Sequence, residues 1–438
     1  MFCMNARSRI EPASKIQGWR LRAIIGGSAG NLVEWYDWFA YASLSLYFAP
    51  RFFPEGDRTA QLLSTAAIFA VGFLMRPLGA WAMGIYGDRH GRKAGLALSV
   101  GLMFAGSALI AVTPTYGTIG AAAPAILLLA RMMQGLSVGG EYGASATYLS
   151  EMATPDRRGF YSSFQYVTLI AGQLTALGVL LVLQATLPET EIEAWGWRIP
   201  FAIGAVLALA VYLLRRRLAE TATFQKLDRT AHPVSSIREL WRNHRRPAIL
   251  LGMMTAGGSA AFYAYTTYLQ KFLVNTVGFD RQDATLITAA ALLLFAASQP
   301  LFGLLSDRIG RKPLLLTFGI SGMIVTVPVF TALRGADNAL QAFALALIPL
   351  LALAPYTAVG AIVKAELFPA HIRTLGVALP YAIANALFGG TTEYVALWFK
   401  SANVESGFYW YVTGLIGLAL IAFLLVPESR SASLIDDD

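Results

Sequence analysis

Apolar runs of about the twenty residues that a membrane-crossing helix needs alternate along the chain with short polar breaks. Dividing the chain at charged or Pro/Gly-rich breaks predicts twelve spans, six in each half. The breaks themselves repeat. GIYGDRHGRK (84–93) follows the second span and GLLSDRIGRK (303–312) follows the eighth, half a chain length apart. A second pair, EMATPDRRG (151–159) and ELFPAHIRTLG (366–376), follows spans four and ten. The pattern predicts an all-α membrane protein of twelve transmembrane helices in two pseudo-symmetric six-helix bundles. The expected boundaries are a leading segment at 1–19, a first bundle at 20–216, a linker at 217–246, a second bundle at 247–427 and a tail at 428–438.

Composition agrees with the pattern. Hydrophobic residues make up 56% of the chain and charged ones 14%, against about 25% charged in a soluble protein; the mean hydropathy is +0.54. A net charge of +8 would suit nucleic acid in another setting. Here the Lys and Arg lie in the breaks, where they face anionic headgroups and set topology. They concentrate on the side that holds both termini and both repeated loops, which predicts a multi-pass protein of the bacterial cytoplasmic membrane with both termini cytoplasmic. The lone Cys3 excludes an intramolecular disulfide, and no Cys/His cluster predicts a metal. The basic N-terminus is not followed by a short apolar run and cleavage site, so no signal peptide is expected.

Charged groups inside the apolar runs carry the sharpest functional information. Each costs about 2.5–3.5 kcal/mol near the bilayer centre even on the mildest scale, so it tends to face the protein interior or water. Span one carries Asn31, Glu34 and Asp37 at three-residue spacing, read as one polar stripe. Its two carboxyls are candidates for proton coupling; the competing reading is a hydrogen bond that only joins helices. Span four carries Arg131, Gln134 and Glu141 on one face. Arg131 is a counter-charge for a carboxylate substrate or for Glu34 and Asp37, and Glu141 is a third proton-coupling candidate. Arg198, between Trp197 and Ile199 at the outer end of span six, is either a substrate-capturing fork or an interfacial anchor. Arg76, Lys271, Tyr381 and Asn385 complete the candidate cavity lining; Glu393 and Lys364 are further ionisable groups in spans eleven and ten. Cations slightly outnumber anions in these spans, which leans toward an anionic substrate. No nucleotide-phosphate loop of the G-x-x-x-x-G-K-[ST] type occurs, so ATP is not the expected driver.

The loop pattern G-x-x-x-D-R-x-G-R-K, present twice, resembles the major facilitator superfamily. Arg131, Gln134 and Gly135 resemble its R-x-x-Q-G motif. Tyr86 and Gly87 depart from the usual Leu-Ala before Asp88. The stretches GNLVEWYDW (30–38), QGLSVGGEYGASATYLSE (134–151), FQYVTLIAGQL (164–174), WGWRIPF (195–201) and ANALFGGTTEYVAL (384–397) are similar to the metabolite:proton symporter branch, and within it to carriers of 2-oxoglutarate. The resemblance covers nearly the whole chain. It implies no enzyme activity, no cofactor beyond the coupling ion H+, and proton-coupled uptake of 2-oxoglutarate or a similar dicarboxylate by alternating access, in a chain working as a monomer within the lipid bilayer. Another carboxylate or zwitterion (citrate, shikimate, proline or betaine) is the nearest alternative, and a drug:proton antiporter is a more distant one. The repeated loops are expected to gate rather than bind. Asp88, Arg92, Glu151 and Arg158 in the first half, with Asp307, Arg311, Glu366 and Arg373 in the second, form ion pairs that close the cytoplasmic face and break when it opens.

Overall fold

The computed structural model describes residues 13–90, 92–139, 155–216 and 237–429; the side chains of 13–30, 84–85, 87–96, 155, 214–216 and 370–371 lie outside the description. Twelve long helices follow the twelve predicted runs. In the first half they are α1 (Ala13–Phe52), α2 (Arg58–His90), α3 (Arg92–Val112), α4 (Ala122–Val138), α5 (Arg158–Thr186) and α6 (Arg198–Arg216). The second half comprises α7 (Arg245–Val277), α8 (Arg281–Ile309), α9 (Lys312–Leu333), α10 (Ala339–Glu366), α11 (Ile372–Ser401) and α12 (Ser406–Leu425). Among the described residues, eight of these are long and apolar enough to cross a membrane, and a ninth if the bent segment Glu189–Gly196 with Arg198–Leu213 counts as one span. The linker expected at 217–246 contains the short helix Ile237–Asn243, and α7 begins at Arg245, slightly earlier than the apolar run suggested.

Packing repeats with the sequence. In the first half α1 packs on α5, α2 on α4 and α3 on α6; in the second, α7 packs on α11, α8 on α10 and α9 on α12. The seam between halves repeats too, because α5 packs against α8 and its counterpart α11 packs against α2. Large apolar side chains such as Val112, Leu301 and Leu340 remain exposed on the outside, as expected where lipid replaces water as solvent.

Lipid gives little hydrophobic drive for helix pairing, so small residues that let backbones approach closely decide contacts. The crossing of α2 and α4 shows this. A Cβ at Gly135 would lie 2.0 Å from the Gly72 carbonyl oxygen, and one at Gly139 would lie 2.0 Å from the Arg76 carbonyl oxygen. This crossing holds Arg76 and Arg131 on either side of one aromatic wall. Pro77 sits inside α2 without breaking it. The breaks fall instead in α7, at Thr266, and in α11, where a wide π-type turn at Asn385–Gly389 separates Ala370–Ala384 from Thr392–Ser401. Such turns inside helices recur at functional positions.

Candidate functional site at the seam

A narrow cleft lies between the halves, with about 380 Å³ of empty space that includes its opening to solvent. Asn31, Glu34 and Trp35 of α1, Arg76 of α2, and Val138 and Gly139 at the end of α4 form its first-half wall. Ala378, Tyr381, Ala382 and Asn385 of α11 form the other. Asn31 is fixed in two directions: its amide donates to Thr168 Oγ1 at 2.9 Å, and Trp35 Nε1 donates to its oxygen at 2.9 Å. Arg76 is 4% exposed and has no salt bridge among the described residues. Its guanidinium lies 3.7 Å from the Phe73 ring centroid, 4.3 Å from Trp38 and 5.0 Å from Trp35. Desolvated stacking of this kind contributes about 2 kcal/mol, yet Nε and Nη2 have no hydrogen-bond partner among the described residues. Glu34 and the Tyr263 hydroxyl lie within electrostatic reach of it.

The polar stripe predicted on α1 is split. Three residues advance a helix by about 300°, 60° short of a full turn, so Asn31 and Glu34 face the cavity while Asp37 turns into the first bundle. There Asp37, 1% exposed, accepts from Ser107 Oγ at 2.8 Å and from Gln134 Nε2. Gln134 in turn accepts from Arg131 Nη1 at 2.6 Å. Arg131 and Gln134 are fully buried and lie off the wall of this cleft, with Arg131 reaching Asp37 through Gln134. Arg131 also stacks 3.8 Å from Trp38 and 4.5 Å from Tyr41. Trp38 is thus held between two guanidinium groups, Arg76 on the cavity side and Arg131 on the dry side.

Two other candidates lie elsewhere. Arg198 donates to the carbonyl oxygens of Thr113 at 2.9 Å and Ala194 at 3.4 Å; it ties the ends of α3 and α6 together and does not line the cavity. Lys271 is buried in an ion pair with Glu393 that joins α7 to α11, so it too is off the cavity wall. Tyr381 and Asn385 are on the wall, with the Lys364 ammonium 4.4 Å from the Tyr381 ring centroid. Glu141 lies outside the described residues.

Polar contacts cross the seam at both ends among the described residues. At the end bearing the repeated loops, called here the motif end, the Asp307 carboxylate accepts from the backbone N–H groups of Gly159 at 2.8 Å and Phe160 at 2.9 Å. It thereby occupies the positive end of the facing α5. Arg311 donates to Asp307 at 3.1 Å and lies 3.9 Å from Glu366, which accepts from Ser429 at 2.5 Å. Arg158 lies within electrostatic reach of Glu366. Arg373 donates from Nε to the Phe368 carbonyl at 3.0 Å, bracing the turn into α11. Glu151 and the side chains of Asp88 and Arg92 fall outside the described residues. At the far end, Arg281 of α8 pairs with Glu189 at 2.9 Å and Glu193 at 2.7 Å, over the ring of Tyr47 at 4.6 Å.

Trp38 and Phe73 were not singled out from the sequence. Trp38 stands four residues after Glu34 on the same face of α1, a spacing that pointed to it.

The sequence pattern described as sugar (and other) transporter matches residues 23–232 and 216–437. The chain belongs to this transporter family. Among its relatives in that family, the chain is 54% identical to the alpha-ketoglutarate permease of Escherichia coli (strain K12), across 93% of each chain. It is 36% identical to a citrate-proton symporter of Salmonella typhi, across 93% of this chain and 94% of that one. The structure of XylE from E. coli, a proton:xylose symporter of the major facilitator superfamily, superposes with a TM-score of 0.76 at 19% identity, over 96% of this chain and 98% of that one. These likenesses establish the twelve-helix major facilitator fold and a membrane transporter rather than an enzyme.

Proposed function

We propose that the protein imports 2-oxoglutarate or a similar dicarboxylate together with protons, by alternating exposure of the seam cavity to either side of the cytoplasmic membrane. Both termini and the motif end then face the cytoplasm, as the distribution of Lys and Arg between the spans supports. The observation that carries the reading is Arg76: a buried guanidinium on the cavity wall, stacked on aromatic rings, with Nε and Nη2 unpartnered among the described residues. A guanidinium fork matches a carboxylate in shape and charge. Glu34 beside it suits a proton carrier, because its side chain faces the cavity and its protonation offsets an arriving anion. Asp37 and Arg131 sit one layer away, linked through Gln134. The relative named alpha-ketoglutarate permease supports the substrate. A citrate-type or zwitterionic substrate is the second reading, supported by the relatives named citrate-proton symporter and proline/betaine transporter. The chain is read as working alone, with no bound cofactor.

Purified protein in liposomes with an inward proton gradient should concentrate labelled 2-oxoglutarate, and a protonophore should abolish the accumulation. Competition by unlabelled citrate, succinate and shikimate ranks the alternatives. Arg76→Lys keeps the charge but loses the fork and the stacking. A charge-assisted hydrogen bond contributes about 1.5–3 kcal/mol, so KM should rise by about ten- to a hundredfold. An unchanged KM removes Arg76 from the binding site, and accumulation of citrate but not 2-oxoglutarate moves the assignment to the second reading.

A further inference from the structure

Beyond the cavity, toward the far end, lies a second layer of ionisable groups that the seam brings together from both halves. Glu393 is eight residues past Asn385 on α11, about 12 Å along the helix at 1.5 Å per residue. It pairs with Lys271 of α7, and the two side chains are 3% and 1% exposed. Glu393 is the only hydrogen-bond partner of Lys271 among the described residues, and Glu393 Oε2 is buried with no partner among them. Facing this pair from α1 is Tyr41, which feels the Glu393 charge, and against Tyr41 stacks Arg131. Arg131 also buries two unpartnered donors, Nε and Nη2. The other groups around Glu393 are Tyr268 of α7, with Tyr409 of α12 and Glu405 behind it. Tyr41 therefore lies between a buried guanidinium, 4.5 Å over its ring, and the charge of Glu393 from the opposite half.

We propose that Glu393 is a coupling carboxylate and Lys271 a substrate carboxylate receptor, sharing one site by competition. This rests on the dicarboxylate reading above and extends it to a pair that sequence reasoning did not connect. The exchange needs only a proton and an anion. Glu393 takes a proton, which removes its charge and releases the Lys271 ammonium; a carboxylate of the substrate then pairs with Lys271. On release the substrate carboxylate leaves, Glu393 gives up its proton, and the original pair reforms. The buried site is neutral when empty (one ammonium, one carboxylate) and neutral when loaded with both proton and anion. Either partner alone leaves an uncompensated charge in a low-dielectric interior, which is strongly disfavoured. Only the doubly loaded and the empty states cross easily, and this is what symport requires.

Reconstituted vesicles and labelled 2-oxoglutarate test the pair. In the wild type, KM should rise with pH, because the anion displaces Glu393 more readily when Glu393 is protonated. Glu393→Gln leaves Lys271 without a charged competitor. Its KM should fall several-fold, the slope of log KM against pH should drop by about one, and one proton fewer should move per substrate. Lys271→Gln/Glu393→Gln removes both charges, restoring neutrality where the single variant misfolds. It should exchange 2-oxoglutarate more slowly than the wild type and show the same loss of one proton. A wild-type proton ratio and pH slope in either variant overturns the proposal and assigns the pair to holding α7 against α11. Failure of the wild type to take up 2-oxoglutarate counts against the substrate reading instead. The proton count per carried anion in the two variants, measured with citrate if citrate is the anion taken up, still decides the role of Glu393.

Discussion

The two closures of the seam are built from different materials. At the motif end, the Asp307 carboxylate is 7% exposed and accepts from two backbone N–H groups of the opposite half. Glycine meets glycine behind it: a Cβ at Gly159 would lie 2.7 Å from the Gly303 carbonyl oxygen, and one at Gly303 would lie 2.7 Å from the Gly159 carbonyl oxygen. At the far end the halves are joined by Arg281, 14% exposed, and its partners Glu189 and Glu193, 61% and 31% exposed. The first closure combines backbone contact with charge buried at a helix end. The second rests on two ion pairs of a mostly buried arginine with more exposed carboxylates, and on Gln184, which donates to the Arg281 carbonyl at 3.2 Å and to Thr285 at 3.3 Å. Exposed pairs contribute about 0.2–1 kcal/mol, whereas hydrogen bonds to a charged group contribute about 1.5–3 kcal/mol each. The far end is therefore the easier to open; in the orientation proposed above, that is the outer side.

The strongest way to break this asymmetry is to spoil the glycine contact. Gly159→Val places a side chain against the Gly303 carbonyl and Ser306. Overpacking of this kind costs about 1–3 kcal/mol, so the closed motif end should lose about five- to 150-fold in population. Uptake should fall accordingly while the protein still elutes as a folded species. A smaller effect is expected from Asp307→Asn, which keeps an acceptor for one N–H but loses the charge that favours the helix end. Labelling of a cysteine at Ser163, buried against Gly303, should then rise by about tenfold, with Cys3 replaced to leave a single reporter. If Asp307→Asn leaves that labelling unchanged, the carboxylate only shapes the loop and the ranking of the two ends loses its basis.

Much of this was legible in the chain. The twelve apolar runs became twelve helices because lipid exposure demands internally satisfied backbones, and the duplicated loop became a duplicated packing scheme. What the runs could not show was which way each ionisable group faces. Asn31, Glu34 and Asp37 share a spacing, but the drift of a 3.6-residue helix sends Asp37 to Ser107 and Gln134 rather than to the cavity. Lys271 and Glu393 are far apart in sequence and belong to helices broken near the middle, so nothing local marked them as a pair. Arg198 resembled a substrate fork in composition alone; its hydrogen bonds go to backbone carbonyls at the ends of neighbouring segments. Side-chain direction depends on tertiary contacts that apolar periodicity does not encode.

The smallest effect belongs to the far end and is the most informative about the comparison, because it can be produced without mutation. Arg281→Gln removes both ion pairs with Glu189 and Glu193 but leaves the Arg281 backbone carbonyl that accepts from Gln184 at 3.2 Å. Labelling of a cysteine at Thr285, buried beneath this closure, should rise only about two- to fivefold, as expected for exposed pairs. Salt should mimic the substitution, since the screening length falls from about 10 Å at 0.1 M to about 3 Å at 1 M. Wild-type labelling at high salt should approach that of Arg281→Gln, whereas the Asp307 closure, buried and bonded to backbone, should respond little. A rise of a hundredfold, or one that salt leaves untouched, would show that the far end holds as firmly as the motif end.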